Sequence, residues 1–318
     1  MQKTTINVYA KPGITPWLFD DLKTHFKKLK LKDIQIVTSE YPDQNADAWI
    51  AIRTAEAILA PDLEKTVACI HDLYAHDNMY QADGLRAIVK KVRGLVLCHP
   101  KQRKILYQAG IDLTEKKILE RPLGALSGFS PGDKIPEKFT IAWIGRNHWR
   151  KRITWFIEAI QKLALPKNQF NIVLLGKGIS ESAKLLQSLG FACTAYPKDT
   201  YTIASYPELY RAMSCLVITS ITEAGPLTLF ESLATGNPVI STKVGWSPLI
   251  KTDAITLVDN PDEISSALLQ LYRKQEDNFL KRYRISKLVT HVTLESWIEE
   301  VVQLAYSLIN YKKNVSLS

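Results

Sequence analysis

Short apolar runs alternate along this chain with longer stretches whose apolar residues recur at helical spacing. In the first part the runs Ile6–Ala10, Ile34–Val37, Trp49–Ile52, Val67–His71, Leu95–Cys98 and Lys117–Leu119 read as strands. Trp17–Leu29, Gly84–Val92 and Lys101–Gln108 read as helices between them. Pro122–Asp133 then packs glycine, proline and serine together and reads as a linker. After it the rhythm restarts with strands at Phe139–Ile144, Asn171–Leu175, Ala192–Tyr196, Leu216–Thr219, Pro238–Ser241 and Ala254–Val258. The intervening helices are Arg152–Leu163, Glu181–Leu189, Pro207–Met213, Leu227–Thr235 and Asp262–Lys274, and a long amphipathic stretch, Leu294–Ile309, closes the pattern. Such alternation predicts parallel sheets covered by helices on both faces. The expected fold is α/β, with two Rossmann-like doubly wound domains facing across a cleft. Their bounds are residues 1–125 and 126–292, and the C-terminal helix and tail, 293–318, return to the first domain. In such sheets ligands lie outside the carboxyl ends of the strands.

Composition narrows the class. The 318 residues are 46% hydrophobic and 23% charged, enough for two buried cores and unlike a disordered chain. The longest apolar stretches, such as Cys215–Ile218 and Phe170–Leu175, fall well short of the roughly 20 residues that span a bilayer. Met1–Thr5 leads into the alternation Ile6-Asn7-Val8-Tyr9, a first strand rather than an export segment, so a cytoplasmic location is expected. Cys69, Cys98, Cys193 and Cys215 are scattered without a C-x-x-C pair and read as small buried thiols of a reducing compartment. The net charge of +9 favours an anionic partner: nucleotide phosphates, acidic lipid or nucleic acid. Within Trp17–Lys32, five lysines (23, 27, 28, 30 and 32) surround Trp17, Leu18, Phe19, Leu22, Phe26 and Leu29. Such a helix can rest on the inner face of a membrane. The commoner arrangement packs its apolar side on its own sheet and leaves the lysines solvated.

Two clusters carry chemistry. The first is Glu223-Ala224-Gly225-Pro226-Leu227-Thr228-Leu229-Phe230-Glu231, between an apolar strand and a helix. Pro226 suits the first helical turn, where a missing N–H costs nothing. The N–H groups of Leu227 and Thr228 then point out of the helix start and, with the positive end of the dipole, form an anion site. Glu223 precedes that start and Glu231 lies a little over one turn inside. The second cluster, Gly145-Arg146-Asn147-His148-Trp149-Arg150-Lys151-Arg152, is a short cationic loop at a strand end. Arg146 and Lys151 straddle it, one offering a planar fork and the other a point charge for two phosphates. Each cluster alone has an ordinary explanation, a capped helix or a solvated surface. Their joint placement at two strand ends of one domain argues for a site.

The order and spacing of Gly145-Arg146, Lys151, Glu223 to Glu231 and Gly236-Asn237-Pro238-Val239 resemble the donor domain of retaining GT-B glycosyltransferases, glycosyltransferase family 4 in particular. Leu174–Gly178 and Pro207–Ala212 fit the same pattern, and the resemblance covers about residues 139–275. It implies a GT-B fold and transfer of a hexose-type sugar from a nucleotide sugar, such as a UDP- or GDP-sugar, to a hydroxyl acceptor with retention. Arg146 and Lys151 would neutralise the diphosphate, Glu231 would bind the ribose and Glu223 the transferred sugar. Gly145, Gly225, Pro226, Leu227 and Thr228 would complete the donor cradle. In the first half, Ala10-Lys11-Pro12-Gly13 resembles a glycine loop approaching the donor phosphates. Val67–Asp72 resembles a strand end whose histidine, here His71, reaches the sugar; His76, His99 and His148 have no such pattern. No Asp-x-Asp occurs, so neither a metal nor another cofactor is expected. Pro226 stands where relatives often carry glycine, and Gly245-Trp246-Ser247-Pro248-Leu249 departs from the family's Gly-Gly loop, which leaves that loop's contacts open.

Three other readings fit parts of the pattern. A transferase acting on modified DNA bases would use the same donor site and suit the positive charge. A non-catalytic GT-B-like sugar-nucleotide-binding protein would have no reason to keep the full Arg146, Lys151, Glu223 and Glu231 set. A NAD-type Rossmann enzyme needs a third glycine after Gly176-Lys177-Gly178, which is missing.

Overall fold

The computed structural model describes residues 3–11, 18–71, 83–197 and 206–309. It divides into two compact units: Met1–Leu123 with Leu294–Ser318, and Gly124–Thr293.

The first unit runs β1 (Thr4–Tyr9), α1 (Leu18–Lys28), β2 (Ile34–Ser39), β3 (Ala48–Ala51), β4 (Thr66–Ile70), α2 (Asp83–Lys91), β5 (Gly94–Leu97), α3 (Lys101–Gln108) and β6 (Lys117–Glu120). Its six strands form one parallel sheet in the order β2-β1-β3-β4-β5-β6. The inner strands β3, β4 and β5 are buried at every position, as expected where both faces are covered. In α1, Leu22 and Phe26 are fully buried, while Lys27 and Lys28 at its end and Lys30 and Lys32 just beyond it are exposed. Leu22 and Phe26 therefore face their own unit, as in the commoner of the two arrangements that the lysine pattern allows; Trp17 and the side chains of Leu18 and Phe19 lie outside the described residues.

The second unit runs β7 (Phe139–Ile144), α4 (Ile153–Gln161), β8 (Phe170–Gly176), α5 (Ser180–Ser188), β9 (Cys193–Pro197), α6 (Tyr206–Arg211), β10 (Cys215–Ile218), α7 (Leu227–Ala234), β11 (Val239–Thr242), β12 (Ile255–Val258), α8 (Pro261–Arg273), α9 (Gln275–Leu280) and α10 (Arg282–Lys287). Its parallel sheet has the order β12-β11-β10-β7-β8-β9. Alternation along β7 sends Phe139, Ile141 and Trp143 to a core shared with α4, α5 and α8, and Ala142 to one shared with α6, α7 and α10. Helix α8 starts as its residues dictate: Asn260 accepts from the N–H of Glu263 at 2.9 Å, Glu263 accepts from the N–H of Asp259 at 2.7 Å, and Pro261 opens the first turn.

The last helix, α11 (Leu294–Ile309), buries Leu294, Trp297, Ile298, Val301, Val302, Ala305 and Leu308 along one stripe. That stripe packs on the first unit's sheet, at β3, β4, β5 and β6. Arg121 joins it by an ion pair to Glu300 and a 3.0 Å bond to Ser296. The stretch read as a linker is not slack. Phe129 is buried against the Tyr210 ring, and Arg211 donates to the carbonyls of Gly128 and Ser130. All four cysteines are buried thiols without disulfides.

Candidate functional site

In the second sheet the chain leaves β7 outward through β8 and β9, then returns to β7's other flank with β10. The segments following β7 and β10 therefore diverge at neighbouring carboxyl ends, the place where an open parallel sheet forms a crevice. Both clusters singled out in the sequence lie there.

The segment after β7 is shaped by close backbone approach. The Gly145 N–H donates to Leu175 at 2.9 Å and the Asn147 N–H to Lys177 at 2.8 Å, tying this segment to the end of β8. Gly176 has φ +146°, and a Cβ there would stand 1.8 Å from the Gly145 carbonyl oxygen, so only glycine fits. Arg146 projects from this segment and is exposed. A single 3-10 turn, Trp149–Lys151, follows. The loop concentrates positive charge: desolvation, then Arg150, Arg146 and Lys151, holds the His148 imidazole below its ordinary range.

Opposite it, the segment after β10 supplies both donors and acceptors. Thr219 donates its hydroxyl to the Lys151 carbonyl at 2.6 Å and accepts from the Trp143 indole at 3.0 Å. The Ile221 N–H donates to the Arg150 carbonyl at 2.8 Å. Arg152 reaches across with Nε to the Thr219 carbonyl at 2.8 Å and Nη2 to the Ser220 carbonyl at 3.0 Å. Lys151 and Glu223 then meet directly, Nζ on Oε1, and the Ser220 hydroxyl donates to the same oxygen at 2.7 Å. Gly145 is close to this pair: a Cβ on it would be 3.7 Å from Cδ of Lys151.

Helix α7 starts one residue later than proline in the first turn would require. Pro226 is the N-cap, extended at ψ 116°, and Leu227 is the first helical residue. The first bond of the ladder runs from Leu229 to Pro226 at 3.1 Å, so the N–H groups of Leu227 and Thr228 stand ahead of it. Gly225 is partly buried in the turn before them. Gly245, whose loop sequence left its contacts open, packs against this start. It has φ +51°, and a Cβ would meet Cδ of Pro226 at 2.6 Å. Within the helix Glu231 accepts from the Tyr210 hydroxyl at 2.5 Å. Burial raises the Glu231 carboxyl to about 7, and the bond from Tyr210 opposes the rise. The Tyr210 carbonyl in turn accepts from the buried Asn237 side chain, and Asn237 accepts from Arg282 at 3.3 Å.

The structure thus brings Gly145, Arg146, Lys151, Glu223, Gly225, Pro226, Leu227, Thr228 and Glu231 to one end of one sheet. Spacing along the sequence could not find Arg152, Ser220 or Tyr210, whose roles arise only when distant segments meet. In the first unit, burial holds His71, at the end of β4, down to about 4, so it is neutral near pH 7. Its Nδ1 lies 3.5 Å from the Cys98 sulfur and its ring 6.0 Å from that of Trp297. Gly13, Asp72 and His76 lie outside the described residues. Lys11, at the start of the glycine segment, donates its N–H to Glu56 at 3.1 Å.

Residues 138–274 match the family model "Glycosyl transferases group 1". Comparison with curated proteins gives no match. Among solved structures, HepE of Anabaena in complex with UDP-glucose is 12% identical with a TM-score of 0.73, over 95% of this chain and 99% of that one. A sucrose-phosphate synthase from Thermosynechococcus elongatus is 12% identical with a TM-score of 0.76, over 99% of this chain and 100% of the other. A glycosyltransferase from Rickettsia africae is 13% identical with a TM-score of 0.70, over 98% and 100%. The fold is GT-B, built from two six-stranded parallel α/β units. Its second unit carries a group 1 glycosyl transferase domain, and the chain is a glycosyltransferase.

Proposed function

We propose that this enzyme moves a hexose-type sugar from a nucleotide-sugar donor to a hydroxyl acceptor, with retention and without a metal ion. The observation that carries the reading is the meeting of Lys151 and Glu223 beside the start of α7, at the point where the sheet reverses its strand order. A diphosphate ester placed there finds Lys151 and Arg146 as cations and the N–H groups of Leu227 and Thr228 as neutral donors. As the glycosidic C–O bond breaks, negative charge grows on the leaving diphosphate, where these fixed donors stabilise it most; such stabilisation is worth several kcal/mol. Glu223 is released from Lys151 to accept hydroxyls of the sugar, and Glu231 accepts those of the ribose. The neighbour solved with UDP-glucose supports a nucleotide-sugar donor.

Metal independence rests on this donor set together with the lack of any Asp-x-Asp in the sequence. Retention rests on the family resemblance. No side chain is an evident nucleophile, so we favour front-side attack, in which the acceptor hydroxyl gives its proton to the departing phosphate oxygen.

No helix among the described residues is long and apolar enough to cross a membrane. Four buried thiols without disulfides support a reducing, cytoplasmic setting. The exposed Lys27, Lys28, Lys30 and Lys32 suit electrostatic contact with acidic lipid. Turnover of a donor identified by screening tests the whole reading: Arg146→Ala and Lys151→Ala should each lower it by orders of magnitude with the circular dichroism spectrum unchanged. Unchanged turnover in both would refute it.

A further inference from the structure

Among the described residues, Arg152 alone combines a side chain with a positive φ. Its backbone sits at φ 46°, ψ 52°, between the 3-10 turn and α4, where it ends the first and caps the second. Left-handed backbone disfavours any residue with a Cβ, and glycine or asparagine is the usual occupant. An arginine held in that region is expected where its surroundings over-determine it. Here they do. The guanidinium bridges the carbonyls of Thr219 and Ser220 and lies 3.6 Å from the centre of the Trp155 ring.

Those two carbonyls belong to the segment that delivers Glu223, and Arg152 directly follows Lys151. The Ser220 carbonyl also accepts from Thr242 of β11 at 2.6 Å, so the far side of the clamp is fixed to the sheet. We propose that Arg152 is a positioning residue for sugar transfer. Its left-handed turn and two-pronged grip set the Lys151 ammonium against Glu223 and, in the complex, against the donor diphosphate. The inference rests on the donor-site reading above and assigns Arg152 no contact with substrate.

Arg152→Gly separates this role from plain stability, because glycine accepts the left-handed turn while the grip is lost. Binding of UDP, GDP, ADP and dTDP is measured by titration calorimetry in wild type, Arg152→Gly, Lys151→Met and the double variant. We expect about a tenfold loss of nucleotide affinity and a larger fall in kcat in Arg152→Gly, with a thermal midpoint close to wild type. In the Lys151→Met background the same change should cost almost nothing, since an effect exerted through Lys151 is not additive with its removal. Arg152→Lys, which can serve one carbonyl but not both, should fall between wild type and glycine, and it carries the test if Arg152→Gly fails to fold. An equal loss in the Lys151→Met background, or no loss in either variant, overturns the positioning role alone. Wild-type protein that binds none of the four nucleotides overturns the donor-site reading and this inference with it.

Discussion

Tyr210 donates its hydroxyl to Glu231 across two successive helices, 2.5 Å from α6 to α7. The pair is part of a chain that continues through Asn237 to Arg282. Glu231 is therefore held by protein at one carboxylate oxygen, Oε2.

That arrangement has a pH signature. With the carboxyl raised to about 7, Glu231 carries a proton in much of the folded population below neutrality. A protonated carboxyl accepts ribose hydroxyls poorly, so donor affinity should weaken as pH falls through 7. Replacing Tyr210 by Phe removes the bond that holds the value down and should move the midpoint to higher pH. Glu231→Gln should flatten the dependence. Calorimetric titration across pH 5.5 to 8.5, a window spanning about 1.5 units either side of that midpoint, distinguishes these outcomes.

Stability should follow the same group with a definite sign. The folded-state value lies above the ordinary 4.5, so the folded protein binds more protons than the unfolded chain between about 4.5 and 7. The contribution is complete below 4.5 and is lost as pH rises through 7. Denaturant unfolding of Glu231→Gln should show a shallower decline over that window than wild type.

The two glycines at the site should resist substitution. A Cβ at residue 176 would collide with a backbone carbonyl, and one at 245 with Pro226, each in left-handed or related backbone. Gly176→Ala and Gly245→Ala should each cost on the order of 1–3 kcal/mol in chemical denaturation. Gly245→Ala should weaken donor binding as well, because it displaces the start of α7.

Breaking the central ion pair from its acidic side should split the kinetic constants. Glu223→Gln keeps the shape and leaves Lys151 to the diphosphate, so nucleotide affinity should hold or rise. Transfer from the nucleotide sugar should fall about tenfold or more, as expected when a hydrogen-bond acceptor for the sugar loses its charge. Binding of free nucleoside diphosphate and steady-state kinetics, measured side by side, check both halves.

Much of this architecture was legible in the chain because parallel strands buried on both faces announce themselves as apolar runs, such as Val67–Ile70 and Leu216–Ile218. The placement of Glu223 to Glu231 at a helix start was legible because it is one continuous segment whose proline and acids have meaning there. Helices α9 and α10 were not, since Gln275–Lys287 is dominated by polar and charged residues and offers only a broken apolar stripe. The Arg152 turn was equally hidden: no local signal marks an arginine for left-handed backbone, and its partners lie 67 and 68 residues away. Tyr210 and Glu231 pair for the same reason of topology, through helices on either side of β10. The glycine-rich stretch showed where one unit gives way to the other, but Phe129 and Arg211 fasten it to the second in a way that composition does not reveal.

Thermal unfolding in the presence of UDP-, GDP-, ADP- and dTDP-sugars, with wild type beside an Arg146→Ala, Lys151→Ala double variant, tests the donor site most directly. Ligand at 100 times its Kd stabilises the folded state by about 2.7 kcal/mol, which is readily seen as a raised midpoint. The account predicts that at least one of these sugars raises the wild-type midpoint and leaves the double variant unmoved. An equal rise in both proteins, or no rise with any of the four, would contradict it.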